Sequence, residues 1–359
     1  MGSRESFVGA SLADRAAALL EARSREALPA RYLSQVVHLT CPAPVWRYVE
    51  GAVERSRASL VMLDLEDSIP RGDGEALGRG RDHVVRALET LDWGAKLRFF
   101  RPRGLALDPG FEDLFHVVTR AGDRLDGLIY PKVDGPEEVA LLDEALSEAE
   151  ERAGLDVGRI RLELLIESVH AEERLDDIAS ASSRLAGLIF GAFDYWSSLG
   201  LAPDLYRPDH PLVMDIRSRL VKAGARAGVT VIAEMTLNYP TRDKSEAERR
   251  AALDECRRDA ELARDCGFAG KWVGIPSQAE VVFDVFRQPP ELLESAIAQV
   301  RAFQDAEREG RGAVMIEGRM ADRATDRLNR AVLYKAWVQG RLDEKIAVEL
   351  GLLDREISG

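Results

Sequence analysis

Short apolar runs of four to seven residues, rich in β-branched side chains, recur along this chain. Each is followed by a charged or Gly/Pro-containing loop and then by a longer segment with apolar positions at helical spacing. That alternation predicts a parallel sheet whose strands are joined by helices. The strands fall at Gln35–Thr40, Leu60–Leu65, Lys96–Arg101, Gly127–Lys132, Arg161–Glu167, Gly187–Gly191, Val229–Ala233 and Gly270–Val273. Eight such units predict an α/β protein of the closed (β/α)8 type, a TIM barrel, in place of an open sheet. Residues 11–31 carry Leu and Ala at helical spacing and predict a helix ahead of the first strand, packed outside the barrel. Beyond Gln288 the pattern becomes helical only, over 290–308 and 323–353, joined by a stretch, 309–320, that holds Gly310, Gly312 and Gly318. Such a segment has the composition of a lid. The expected organisation is a catalytic barrel with its N-terminal helix over residues 1–288, then a C-terminal helical extension and lid over 289–359.

Charge narrows the partners. Lys and Arg number 49 against 62 Asp and Glu, a net charge of −13, which repels nucleic acid. The expected partner is a small molecule. Three cysteines, Cys41, Cys256 and Cys266, lack Cys-x-x-Cys spacing, which argues against a disulfide framework or a thiolate zinc site. No apolar run reaches the roughly 18 residues that cross a bilayer, so no membrane partner is expected and a reducing cytoplasm is the expected location.

In a barrel the reactive groups stand at the C-terminal ends of the strands. Here those ends are rich in charge: Asp64, Glu66 and Asp67 at the end of strand two, Arg98, Arg101 and Arg103 around strand three, Lys132 ending strand four, Glu167 ending strand five and Asp194 following strand six. Glu167 and Asp194 end adjacent strands with no obvious basic neighbour, so their carboxylates repel. A divalent ion resolves that repulsion, and magnesium suits one or two carboxylates completed by water and substrate oxygens; a shared proton is the alternative. Arg101, at the tip of its strand, is favoured over Arg98 and Arg103 for gripping a substrate carboxylate or carbonyl with its planar donors. The five histidines show no paired spacing, and no Ser-His-Asp or Cys-His arrangement is legible.

Read in order, six pieces between residues 35 and 325 resemble the superfamily of citrate lyase β-subunits, malyl-CoA lyases and 2-oxo acid aldolases, the HpcH/HpaI aldolase family. They are Leu63 to Ser68, Arg101, Tyr130-Pro131-Lys132, Leu165 to Ser168, Phe190 to Asp194, and Gly267 to Gln278. The resemblance implies a metal-dependent carbon–carbon lyase in which Glu167 and Asp194 bind Mg2+, with Mn2+ as the alternative ion, and Arg101 binds the oxygens of the substrate or its enolate. It further implies that Glu66 and Asp67 orient the arginine or metal-bound water, and that Lys132 and Pro276 line the substrate. The family's Val-Asp-Gly-Lys-Met motif, which brings an acid/base group over a neighbouring subunit's barrel, corresponds to Val314 to Met320, with Glu317 in the aspartate's place. A homo-oligomer, trimeric or hexameric, follows from that resemblance. Two departures mark a divergent member. The arginine that holds CoA phosphates before the first strand is missing from Val36 to Pro42, and the His-Pro pair after the eighth is Ile275-Pro276. The expected substrate is therefore an acyl-CoA thioester or a free 2-oxo acid. The other activities in view are an acyl-CoA thioesterase of the malyl-CoA type and a non-catalytic subunit or binding protein.

Overall fold

The computed structural model describes residues 28–316 and 318–353. Eight parallel strands, β1 (Val37–Pro42), β2 (Leu60–Asp64), β3 (Leu97–Arg101), β4 (Gly127–Tyr130), β5 (Arg161–Ile166), β6 (Leu185–Phe190), β7 (Thr230–Ala233) and β8 (Gly270–Val273), pair in sequence order. β8 closes the barrel on β1 through Val37 opposite Lys271 and Leu39 opposite Val273. Every residue of β2 and of β6 is buried, because the helices cover the outer face while the barrel fills the inner one.

Alternation along the strands separates two cores. Val61, Leu63, Phe100, Leu128, Leu164, Ile166, Leu188 and Phe190 face the surrounding helices. Leu60, Met62, Leu97, Phe99, Ile129, Leu165, Ile189, Ile232 and Trp272 fill the barrel. Two residues beyond Met62, Phe99 and Leu165 lie Asp64, Arg101 and Glu167, so the period that builds the core also turns these side chains toward the axis at the barrel mouth. The ladders set their level: Pro42 pairs with Asp64, and Asp64 with Arg101.

One polar layer interrupts the inner core. His38 Nδ1 on β1 lies 3.4 Å from Glu163 Oε2 on β5, both wholly inside. Burial lowers His38 to about 3 and raises Glu163 to about 8, so both are uncharged at neutral pH. Glycine is needed opposite: a Cβ on Gly187 would stand 3.0 to 3.1 Å from the Glu163 side chain.

Three elements depart from the sequence expectation. β4 ends at Tyr130, not Lys132, because Lys132 takes a left-handed conformation, φ 52°, that turns the chain out of the sheet. The stretch after Gln288 is not purely helical: the expected lid loop contains an antiparallel hairpin of β9 (Ala313–Ile316) and β10 (Arg319–Asp322), with Gly318 at φ 76° in its turn. Its period-two signal is only a few residues long, with Val314 and Ile316 half-buried and Ala313 and Met315 exposed. The expected helix over 323–353 divides into Arg323–Val338 and Glu344–Glu349, broken at Gly340 with φ 68°. These helices and Pro290–Arg308 bury their own apolar cluster around Leu293, Val300, Leu333 and Leu350. Of the helix expected over 11–31, residues up to 27 lie outside the described region; Ala30–Leu33 is helical, and Tyr32 donates to the Asp126 carbonyl at 3.1 Å.

Candidate active site

The mouth is organised around a buried guanidinium. Arg101 donates to Asp64 through two parallel bonds, Nε to Oδ1 at 2.7 Å and Nη2 to Oδ2 at 2.9 Å. The Asp64 carboxylate also accepts from the backbone N–H groups of Glu66 and Ser68, each at 3.0 Å, which folds the chain after β2 around it. Burial alone would raise the Asp64 pKa, but Arg101 and these donors outweigh it and hold the carboxyl below its ordinary range. Arg101 Nη1 lies 3.1 Å from Glu66 Oε2 and 3.6 Å from Asp67 Oδ2, and the guanidinium carbon is 5.6 Å from the centre of the Trp272 ring. The arginine is thus fixed on one edge while Nη1 turns toward the acids of the loop after β2.

Lys132 ties that loop to Glu167. Its ammonium donates to Glu66 Oε1 and, at 3.3 Å, to Asp67 Oδ1. Its backbone N–H donates to Glu167 Oε1 at 2.6 Å, an orientation made by the positive φ at Lys132. Gly191 completes the cradle, since a Cβ there would stand 2.4 Å from Glu167 Oε2 and 2.5 Å from its Cβ. Glu167 is 5% exposed, and burial together with the negative charge of Asp194 pushes it up to about 8.

Asp194 is exposed and lies in the first turn of the helix Ala192–Ser198, not at the strand tip, because β6 stops at Phe190. The mouth gathers five carboxyl groups, Asp64, Glu66, Asp67, Glu167 and Asp194, against two cations, Arg101 and Lys132, and Glu167 keeps its proton at neutral pH until a cation joins it. Hard oxygen donors, more acids than bases and a carboxyl whose proton affinity is raised by burial and by a second carboxylate fit a magnesium ion. Glu167 and Asp194 are the residues that would hold it. Among the described residues no group of three or more metal-binding side chains is gathered.

Glu66, Asp67, Arg101, Lys132 and Glu167 therefore form one connected network, and Asp194 acts on Glu167 through its charge. The expectation that Glu167 has no basic neighbour is corrected by Lys132, which the left-handed turn brings beside it. Pro276 is exposed at the start of the helix Pro276–Phe286, directly after β8. Glu317 lies outside the described residues. From sequence Asp64 is one charge among those at the strand ends, with no role of its own, and Trp272 and Gly191 carry no site signal. Period-two counting from Met62 reaches Asp64, whereas the roles of Trp272 and Gly191 depend on contacts between strands.

Residues 49–276 match the family described as HpcH/HpaI aldolase/citrate lyase. An L-malyl-CoA/β-methylmalyl-CoA lyase of Cereibacter sphaeroides is 29% identical over 290 residues, covering 78% of this chain and 88% of that protein. A (3S)-malyl-CoA thioesterase of the same species is 30% identical over 297 residues, 80% of this chain and 93% of that one. Solved structures share the fold. A citrate lyase from Burkholderia xenovorans superposes with a TM-score of 0.71 at 20% identity, over 88% of this chain and 96% of that one. The protein CitE from Mycobacterium tuberculosis, in complex with magnesium, acetoacetate and coenzyme A, gives 0.59 at 23% identity, over 86% and 97%. With its barrel closed around a carboxylate-rich mouth and the family match spanning most of that barrel, this chain belongs to the HpcH/HpaI aldolase/citrate lyase family.

Proposed function

We propose that the protein is a magnesium-dependent carbon–carbon lyase acting on a hydroxyacyl-CoA thioester or a hydroxy-2-oxo acid. The observation that carries this reading is the mouth network, in which a buried Arg101, held by Asp64, stands in a mouth of five carboxyl groups and two cations. Magnesium, or manganese in its place, supplies Lewis-acid polarisation of a substrate carbonyl when bound. Arg101 Nη1 offers its donors to the substrate oxygen on which negative charge develops as the carbon–carbon bond breaks and its electron pair passes to the carbon beside the carbonyl. Asp64 and Glu66 keep that guanidinium in place, so reorientation does not add to the barrier. Lys132 keeps Glu66 turned toward Arg101 and, through its backbone N–H, leaves Glu167 Oε2 available to the ion. Trp272 on β8 and Pro276 just beyond it form the wall against which the substrate lies. Glu317, reaching from a neighbouring subunit, takes the role of acid/base group for the substrate hydroxyl.

The same reading places the catalytic unit in 1–288 and the covering extension in 289–359, in keeping with the extension's separate apolar cluster. A trimer or hexamer accounts for the exposed Met315 and Met320, which pair across the hairpin. Three free cysteines accord with a cytoplasmic location, and no helix among the described residues is long and apolar enough to cross a membrane. The test is incubation with magnesium and malyl-, citramalyl- or citryl-CoA while free thiol and carbonyl product are followed together. A carbonyl product with the thioester intact supports the lyase. Free thiol without a carbonyl product supports the second reading, a thioesterase, which the 30% identity to the malyl-CoA thioesterase favours. No turnover of any of these, or of 4-hydroxy-2-oxo acids, refutes the lyase.

A further inference from the structure

A second concave site lies at the opposite end of the barrel from the mouth. It is a cleft of about 520 Å³ bounded by the segments that enter β1, β2 and β3, by the end of the helix Pro276–Phe286, and by residues 338–341 of the extension. Its charge is one-sided. Arg57, Lys96, Arg287 and Arg341 line it, with no Asp or Glu among the lining residues, in a chain whose net charge is −13. Arg57 pairs with Glu280 at the rim, at 2.8 Å, and covers the Phe283 ring at 4.3 Å. Among the described residues Lys96, Arg287 and Arg341 have no acidic partner within ion-pair distance.

Arg341 is the most constrained of these. Its Nη2 donates to the Gln288 carbonyl at 2.7 Å, while its Nη1 is buried without an acceptor. Burial and the facing charge of Arg287 together lower its pKa from the ordinary arginine value. Like charges held together at a partly desolvated wall are costly unless a counter-charge joins them. The rest of the wall is apolar, with Phe283, Phe286, Val36 and Val338. We propose that this cleft is a binding site for a small organic anion, one carboxylate or phosphate group set beside an apolar body, distinct from the catalytic mouth. The cations take the charged group and the phenylalanine side takes the carbon skeleton, the division of labour usual in small-molecule sites. A bare inorganic ion leaves the apolar half unused.

The full chain is titrated by calorimetry with inorganic phosphate, phenyl phosphate and benzoate. The expected result is that phenyl phosphate or benzoate binds at least tenfold more tightly than inorganic phosphate. That binding weakens at least tenfold in a Lys96→Gln/Arg287→Gln variant and persists in Glu167→Gln. Lys96 and Arg287 make no described hydrogen bond through their side chains, so this variant folds; Arg341→Gln is a second, independent removal of charge. Whichever of the two organic probes binds more tightly identifies the anionic group as phosphate or carboxylate. Absence of binding by both up to millimolar concentration, or binding that neither cleft variant weakens, overturns the proposal.

Discussion

Replacing Glu163 by Gln inside the barrel changes how stability depends on pH, by an amount that follows from the geometry. Glu163 is wholly buried, its nearest titratable neighbour is His38 at 3.4 Å, and its pKa stands at about 8 against 4.5 for the free side chain. Between those values the native chain keeps a proton that the unfolded chain has lost. More protons bound in the native state means that stability falls as pH rises, by about 1.4 kcal/mol per unit for one group. His38 acts in the opposite sense. With a native value of about 3 against 6.5, it lowers stability as pH falls through that window. In the wild type the two slopes cancel between 4.5 and 6.5, and Glu163 alone lowers stability from 6.5 to 8. Glu163→Gln keeps the shape beside Gly187 and removes the titration. The unfolding free energy of the variant minus that of the wild type should therefore rise by roughly 4 kcal/mol between about pH 5 and about pH 8. Urea unfolding of both proteins at half-unit pH intervals measures it. Curves that stay parallel within about 1 kcal/mol across that range would show that Glu163 ionises in the native barrel as it does in water, and would refute the argument.

Asp64→Asn removes the charge that Arg101 grips twice; with Glu66 and Asp67 still beside the guanidinium, kcat should fall about 100-fold from misorientation while folding persists, as circular dichroism and steady-state kinetics would show. A variant with undiminished kcat counts against Arg101 being held by Asp64. Gly191→Ala drives a methyl group into Glu167 and should weaken magnesium affinity at least tenfold by calorimetry in the presence of pyruvate; unchanged affinity removes Glu167 from the metal set. Asp194→Asn relieves the charge that raises Glu167, so the Glu167 carboxyl should titrate at lower pH than in the wild type. Carbon-13 NMR of labelled glutamate reads that shift, and an unmoved resonance means that the two carboxylates do not sense each other. Lys132→Gly accommodates the left-handed φ but removes the ammonium beside Glu66, so KM should rise more than kcat falls if Lys132 acts on substrate placement. A fall in kcat alone assigns it to the chemical step.

The eight βα units were legible because burial on both faces forces apolar runs into the strands and helical periodicity into the connections. Asp64, Arg101 and Glu167 were reachable by the same arithmetic, each two positions beyond a core residue of its strand. The hairpin in the extension escaped because two four-residue strands flanking a glycine-bearing turn leave too short a pattern to distinguish from a loop. The turn at Lys132 escaped for a different reason. A lysine at φ 52° breaks the local preference, and what holds it there is a hydrogen bond to Glu167, thirty-five positions away.

The chain's own pattern determined the barrel, the order of its strands and the level at which its charged residues emerge, since these depend on a period of two and on which side chains avoid water. What only the tertiary structure decided is how those charges pair: Asp64 with Arg101, Lys132 between Glu66 and Glu167, Asp194 one helical turn beyond its strand, and a cationic cleft on the opposite face. Pairing of that kind depends on distances such as 2.7 Å from Arg101 to Asp64 and 3.3 Å from Lys132 to Asp67, between segments remote in sequence, and electrostatic energies change steeply over that range once water is excluded. No local period encodes it.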